Sequence, residues 1–275
     1  MFNYQEFTKR NEGYVNATLQ EKIRNTKLLI AGCGIGSTIA EAAIRLGFEQ
    51  MTLIDGDIIE LHNLNRQDYN TFDVGKPKVF ALRERLQSIN PQAKITIHNT
   101  WVTAENANDL VKEVDIVLDT IDFLSLEGII ALHDASKAQG KNVISAVSAG
   151  WGAGALYFPP NCNTSFRSLF GVPEQGAVSH LSYVATFKSF IEQLAQHLDA
   201  DIIRALSKAF TIMEDGKPCP ASQVAPGAFS VGALAMSMVV RVLAGKPVAE
   251  APNMVLLNMN DVCTSEVVKL KGSLV

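Results

Sequence analysis

The chain has 275 residues, 47% hydrophobic and 19% charged, with a formal net charge of −4. That length and composition suit one large buried α/β core, and a mildly acidic chain without runs of Lys or Arg argues against a free nucleic-acid partner. The four cysteines, Cys33, Cys162, Cys219 and Cys263, form no Cys-x-x-Cys pair, so no zinc site of the usual spacing is expected and a reducing, cytoplasmic setting is.

The polar start, Met1-Phe2-Asn3-Tyr4-Gln5-Glu6, shows no signal-peptide pattern. Residues 1–26 predict one or two short helices. Lys27–Ala31 reads as a first strand, followed by the turn Gly32-Cys33-Gly34-Ile35-Gly36 and a helix over Ser37–Leu46 that Gly47 closes. Met51–Ile54 is a second strand, ending at Asp55, and 56–75 a polar loop. Helix is expected over Lys76–Ile89, stopped by Asn90-Pro91. Then follow a strand (Lys94–Ile97), a helix (Ala104–Lys112), a strand (Val114–Leu118), a helix (Leu124–Gln139) and two strands (Val143–Ala146, Ala155–Phe158). Ser179–Leu198 and Asp201–Met213 have helical patterns. Pro226–Leu243 is a last helix, buried rather than membrane-spanning because Arg241 interrupts the apolar stretch, and Met254–Leu257 a last strand.

Short apolar strands alternating with helices predict a Rossmann-like α/β fold, a mainly parallel sheet covered by helices on both faces. Three parts are expected: a nucleotide-binding core over 1–160, an appended helical segment over 161–218, and a return to the core over 219–275. Ligands of such sheets sit beyond the carboxyl ends of the strands. There the chain collects Gly32, Gly34, Gly36, Asp55, Asp57, Asp119 and Asp122.

A strand, a glycine turn and a helix set backbone N–H groups and the positive helix end against phosphate, although a ligand-free turn reads the same way. Asp55 follows about 20 residues on, the spacing at which a carboxylate reaches the ribose hydroxyls of NAD or ATP, or merely caps a loop. Asn63-Leu64-Asn65-Arg66-Gln67 and Gly75-Lys76-Pro77-Lys78 favour ATP. A triphosphate under attack needs cations near the reacting phosphorus, and Arg66 and Lys78 supply them unless they are ordinary surface charges. Asp119-Thr120-Ile121-Asp122 offers two carboxylates for Mg²⁺, with helix capping by Asp122 the alternative.

Taken in order, the glycine turn, Asp55-Gly56-Asp57, the Asn63–Gln67 block, Gly75–Lys78, Ile89-Asn90-Pro91 and Asp119-x-x-Asp122 resemble the ThiF/MoeB/HesA family, relatives of the ubiquitin-activating enzymes. The resemblance covers roughly residues 5–160, with a weaker echo at 219–247. It implies a homodimer that binds ATP and Mg²⁺ and adenylates the C-terminal glycine of a ubiquitin-like or sulfur-carrier protein; some members act on peptides or a modified tRNA base. By motif, Gly32, Gly34, Gly36, Asp55, Asp57, Asn63, Arg66, Gln67, Lys78 and Asp122 would bind the nucleotide. Asp122 would serve the metal, and Arg10 would reach into the partner's site. Cys219 stands where a family cysteine can form a thioester or persulfide, a buried structural thiol being the alternative. Three departures mark a divergent, zinc-free member: a glycine loop one residue short, Phe123 where Asn is usual, and no Cys-x-x-Cys pairs.

The expected reaction is attack of an acceptor carboxylate on the α-phosphate of ATP. No general base is needed, since a carboxylate is ionised at neutral pH. Two rivals share the frame: an NAD-dependent oxidoreductase, which leaves Arg66 and Lys78 idle, and a catalytically silent binding module.

Overall fold

The computed structural model describes residues 1–122, 125–178, 181, 183–214 and 222–267. Helices α1 (Tyr4–Thr8) and α2 (Ala17–Asn25) lead into β1 (Lys27–Ala31), α3 (Gly36–Leu46) and β2 (Gln50–Ile54). After a long loop come α4 (Lys78–Ile89), β3 (Lys94–His98), α5 (Ala107–Lys112), β4 (Ile116–Asp119) and α6 (Leu126–Ala138). The hairpin β5 (Asn142–Ala149) and β6 (Gly152–Phe158) precedes α7 (Phe166–Leu169), α8 (Tyr183–Leu194) and α9 (Ala200–Glu214). Last are α10 (Ala225–Leu243), β7 (Met254–Leu257) and α11 (Met259–Ser265).

The sheet order is β3-β2-β1-β4-β5-β6-β7. The first five strands pair in parallel, and β6 and β7 extend the sheet antiparallel. Successive side chains of a strand face opposite sides. In β1, Leu28 and Ile30 enter a core with Ile39 of α3, Leu82 of α4 and Val231 of α10. Leu29 and Ala31 enter a second core with Val111 of α5, Ile129 of α6 and Phe187 of α8. Both faces are therefore covered, which is why β1 reads as an unbroken apolar run. Helix α10 is long and apolar enough to cross a membrane, but here it packs against α3, β5 and β6 with Val231, Ala235 and Val239 buried.

The differences from the sequence pattern have local causes. Helix α4 begins at Lys78 rather than Lys76, because Pro77 is extended and bridges to Ile58, and the residue before a proline avoids helix. The hairpin strands run longer than their apolar cores, since Ser, Ala and Gly dilute the pattern on either side of the turn at Gly150. Helices α7 and α11 are short, capped by the side chains of Ser165 and Asn258, and were not anticipated.

From β1 the sheet grows to β2 and β3 on one side and to β4 and β5 on the other. This reversal between β1 and β4 opens a crevice at their carboxyl ends, where doubly wound sheets bind ligands. Gly32 follows β1 there and Thr120 follows β4. Gly32 adopts φ +87°, and a Cβ at this position would lie 2.4 Å from the Thr120 carbonyl oxygen. Only glycine fits both constraints. Gly32→Ala should therefore destabilise the fold by about 2–4 kcal/mol, from left-handed strain plus overpacking. Thermal unfolding should show a loss of about 5 °C or more; an unchanged midpoint would mean the turn relaxes freely.

Candidate functional site

The glycine turn is fastened from three sides. Thr120 Oγ1 donates to the Gly32 carbonyl at 2.7 Å, and Gly32 N–H donates to Ile54 O at 2.9 Å. Asp55 Oδ2 accepts the Cys33 amide at 2.6 Å. The Ser37 and Thr38 amides bond back to the Gly34 and Ile35 carbonyls. Among the described residues this leaves the amides of Gly34, Ile35 and Gly36, at the start of α3, as donors for an anion. Cys33 is fully buried, and burial pushes its thiol well above the ordinary range, so it is a packing residue.

Asp55 is buried at the end of β2, its other oxygen accepting the Asp57 amide at 2.8 Å. Burial raises its carboxyl above the usual range, against the pull of the Lys78 charge and the two amides. Lys78 opens α4 with a side chain only 7% exposed, and its Nζ donates to Asp57 Oδ2 at 2.6 Å. Asp57 thus orients the lysine, a task the sequence did not distinguish from nucleotide contact.

The Asn63–Gln67 block lies against the same turn. Asn63 is buried; its Oδ1 accepts the Glu60 amide at 2.9 Å, which leaves its NH₂ as a donor. Gln67 packs on Gly34, with Nε2 3.2 Å from where a Cβ would stand, and its buried Oε1 has no hydrogen-bond partner. Tyr69, which the sequence reading missed, staples the block: its hydroxyl donates to Cys33 O at 2.7 Å, and burial pushes the phenol well above its ordinary range. Arg66 donates from Nε to Gln223 Oε1 at 2.5 Å and from one terminal nitrogen to His62 O and Asn65 Oδ1, each at 3.0 Å. Partial burial pulls its guanidinium down from the usual range, and the nearby Asp122 carboxylate opposes that pull.

The two carboxylates after β4 separate. Asp122 is exposed at the crevice, facing Arg66. Asp119 is 2% exposed and hydrogen-bonded to Ser145 and His133 on the sheet side, so it is not available to a ligand. A second feature missed from sequence is Trp101, just after β3 and 56% exposed. A Cβ on Gly56 would lie 2.6, 2.8 and 2.8 Å from three atoms of its indole. Three near-equal distances place that point over the ring face, so the indole lies flat on Gly56 between Asp55 and Asp57. An aromatic at a strand's carboxyl end beside a glycine was the available signal.

Arg10 is exposed and far from this cluster. Its neighbour Asn11 donates to Leu46 O at 3.1 Å, and Tyr4 donates to Gly47 O at 2.8 Å. The amino-terminal segment is thus anchored at the opposite end of α3 from the glycine turn. Cys219 lies outside the described residues.

No group of three or more His, Cys, Asp or Glu able to hold a metal occurs among the described residues. A cation here would rest on one carboxylate plus phosphate and water, which is how Mg²⁺ binds beside nucleotides. The donors and acceptors present also fit a nucleotide: free amides at a helix start and two cations as donors, and the orphaned buried Gln67 oxygen and a buried acid as acceptors.

The ThiF family model matches residues 8–271. The chain is 26% identical over 195 residues to the sulfur carrier protein adenylyltransferase of Thermus thermophilus, covering 68% of this chain and 71% of that one. Over 102 residues it is 36% identical to the protein HesA of Nostoc, covering 36% and 40%. It is 34% identical over 125 residues to the sulfur carrier protein ThiS adenylyltransferase of Bacillus subtilis, covering 44% of this chain and 37% of that relative, so the latter two are matched over less than half their length. Among solved structures, PaaA superposes with a TM-score of 0.65 at 20% identity, covering 94% of this chain and 77% of PaaA. E. coli MccB with MccA-N7isoASN gives 0.61 at 21%, covering 88% and 66%. At such identities these structures show the fold.

Proposed function

The chain belongs to the ThiF family of adenylyltransferases, and from that premise we propose that it activates an acceptor carboxylate with ATP at the β1/β4 crevice. The carrying observation is the convergence on one glycine turn of a buried lysine, a half-buried arginine and an exposed carboxylate, Lys78, Arg66 and Asp122. A dinucleotide site has no use for that set. Relatives named as acting on sulfur carrier proteins, and a neighbour solved with MccA, support a small protein or peptide as acceptor.

In this reading an acceptor carboxylate oxygen forms a bond to the α-phosphorus. The bond from that phosphorus to the bridging oxygen breaks, and pyrophosphate leaves with the electron pair. The amides of Gly34, Ile35 and Gly36 with Lys78 and Arg66 hold the phosphates, and Asp55 orients the ribose. Asp122 would hold Mg²⁺, which when bound would supply neutralising charge. The deciding experiment is Mg²⁺-dependent exchange of labelled pyrophosphate into ATP in the presence of carrier proteins or peptides. Tight NADH binding without ATP binding would instead support an oxidoreductase.

Trp101 is assigned to the base, which would stack on the indole face turned away from Gly56. Stacking contributes about 1–3 kcal/mol per base, so Trp101→Ala should weaken ATP binding about tenfold or more. The chain has two tryptophans, Trp101 and Trp151. In a Trp151→Phe background, ATP should therefore quench the remaining fluorescence. Wild-type affinity in Trp101→Ala would remove the residue from the site.

A further inference from the structure

A buried polar triad lies beneath the loop that carries Asp122. Asp119 ends β4, between Ala31 of β1 and Ser145 of β5. Its Oδ2 accepts the Ser145 hydroxyl at 2.8 Å and lies 3.0 Å from His133 Nε2 of α6. Its Oδ1 accepts the Ile121 amide at 3.1 Å. The three residues are 2%, 6% and 6% exposed for Asp119, Ser145 and His133. Since the carboxylate can only accept, the facing histidine nitrogen carries a proton. The imidazole also packs against Phe158 and Phe166, with ring centroids at 5.0 and 4.5 Å.

Three buried polar groups between the sheet and α6 are costly unless they bond one another. Leu, Val and Ala would fill this space at no such cost. Their common output is the Ile121 amide. Between that amide and Asp119, Thr120 is bolted to the glycine turn through Gly32 O and Ala31 O. The residue after Ile121 is Asp122. The carboxylate thus sets the course of a turn whose one end grips the phosphate loop and whose other end presents the acid.

We infer that His133 and Ser145 are positioning residues for the metal-nucleotide site: they orient Asp119, and through the Ile121 amide Asp119 fixes where Asp122 stands. The inference rests on the reading of Asp122 as the Mg²⁺ ligand. It differs from plain core packing in its consequence. Loss of the triad should move metal affinity, because partners that orient a ligand typically govern it by 10- to 100-fold.

The test uses the intact protein with Mn²⁺ as the probe, bound together with a non-hydrolysable ATP analogue and followed by electron paramagnetic resonance. Thermal unfolding and amide hydrogen exchange of the nucleotide-free protein are measured alongside. His133→Phe and Ser145→Ala should weaken Mn²⁺ binding about tenfold or more and speed exchange at Ile121. His133→Gln, which can still donate to Asp119, should restore most of the affinity. In exchange kinetics the apparent KM for Mg²⁺ should rise more than kcat falls. Ser145→Ala removes one oxygen and is the arm least exposed to misfolding. Wild-type Mn²⁺ affinity and Ile121 protection in Ser145→Ala and His133→Gln, together with a lowered unfolding midpoint in His133→Phe, would overturn the inference and leave a structural triad. Asp122→Ala is the control for the underlying reading. If it binds Mn²⁺ as wild type does, the metal assignment itself fails, a result the triad variants alone cannot produce.

Discussion

Lys78→Ala and Asp122→Ala are each expected to lower ATP–pyrophosphate exchange by about two orders of magnitude or more, the scale on which removing one preorganised charge-stabilising group acts. In barrier terms that is about 3 kcal/mol. The two variants test different things. Asp122 is exposed, so its removal should leave the unfolding midpoint near wild type and isolate the loss to the site. Lys78 is buried and paired with Asp57 at 2.6 Å, and its charge opposes the burial that raises the Asp55 carboxyl. Removing it should raise Asp55 further. An acid whose folded value exceeds its unfolded value binds more protons when folded, so its contribution to stability falls as pH rises between the two. Lys78→Ala should therefore lose more stability at neutral pH than near pH 4, about the unfolded value for Asp. Exchange at the wild-type rate in both variants would show that the phosphates are held elsewhere.

The sheet and its crevice were legible because parallel strands buried on both faces leave unbroken apolar runs, as Leu28–Ile30 and Ile116–Leu118 do, and their polar ends stand out against them. Which polar residue does what was less legible. Asp119 and Asp122 are three residues apart and alike in sequence, but strand pairing buries the first and the turn exposes the second. Asp57 reads from sequence as a nucleotide ligand, and only the fold adds the Lys78 ammonium against it. Tyr69 and Trp101 sit in segments with no periodic signal, and their roles come from contacts with Cys33 and Gly56, which are distant in the chain. His133 is part of an apolar helix face, and only the neighbouring strands reveal its polar task.

Activity should return when two inactive variants, Arg10→Ala and Asp122→Ala, are co-expressed and form mixed dimers. The family resemblance is what nominates Arg10, and the fold sharpens the argument. Helix α3 has 11 residues and so is about 16 Å long. The glycine turn is at its start, while Asn11 and Tyr4 tie the amino-terminal segment to Leu46 and Gly47 at its end. That separation is beyond the reach of an arginine side chain from its own chain's site. A two-fold partner can bring the residue there, because such an interface presents each patch twice. The exposed apolar residues Leu61, Phe72 and Val74, on the loop that also carries Arg66, are the surface we propose for that interface. An arginine delivered across it would act on phosphate as arginine fingers do. In the mixed dimer one site carries both lesions. The other combines Asp122 of the Arg10→Ala chain with Arg10 of the Asp122→Ala chain and is intact. Exchange should therefore recover to about half of wild type per mixed dimer, by counting sites under two-fold symmetry. Were Arg10 to act within its own chain, each site would lack one of the two residues and the mixture would stay as inactive as its parents.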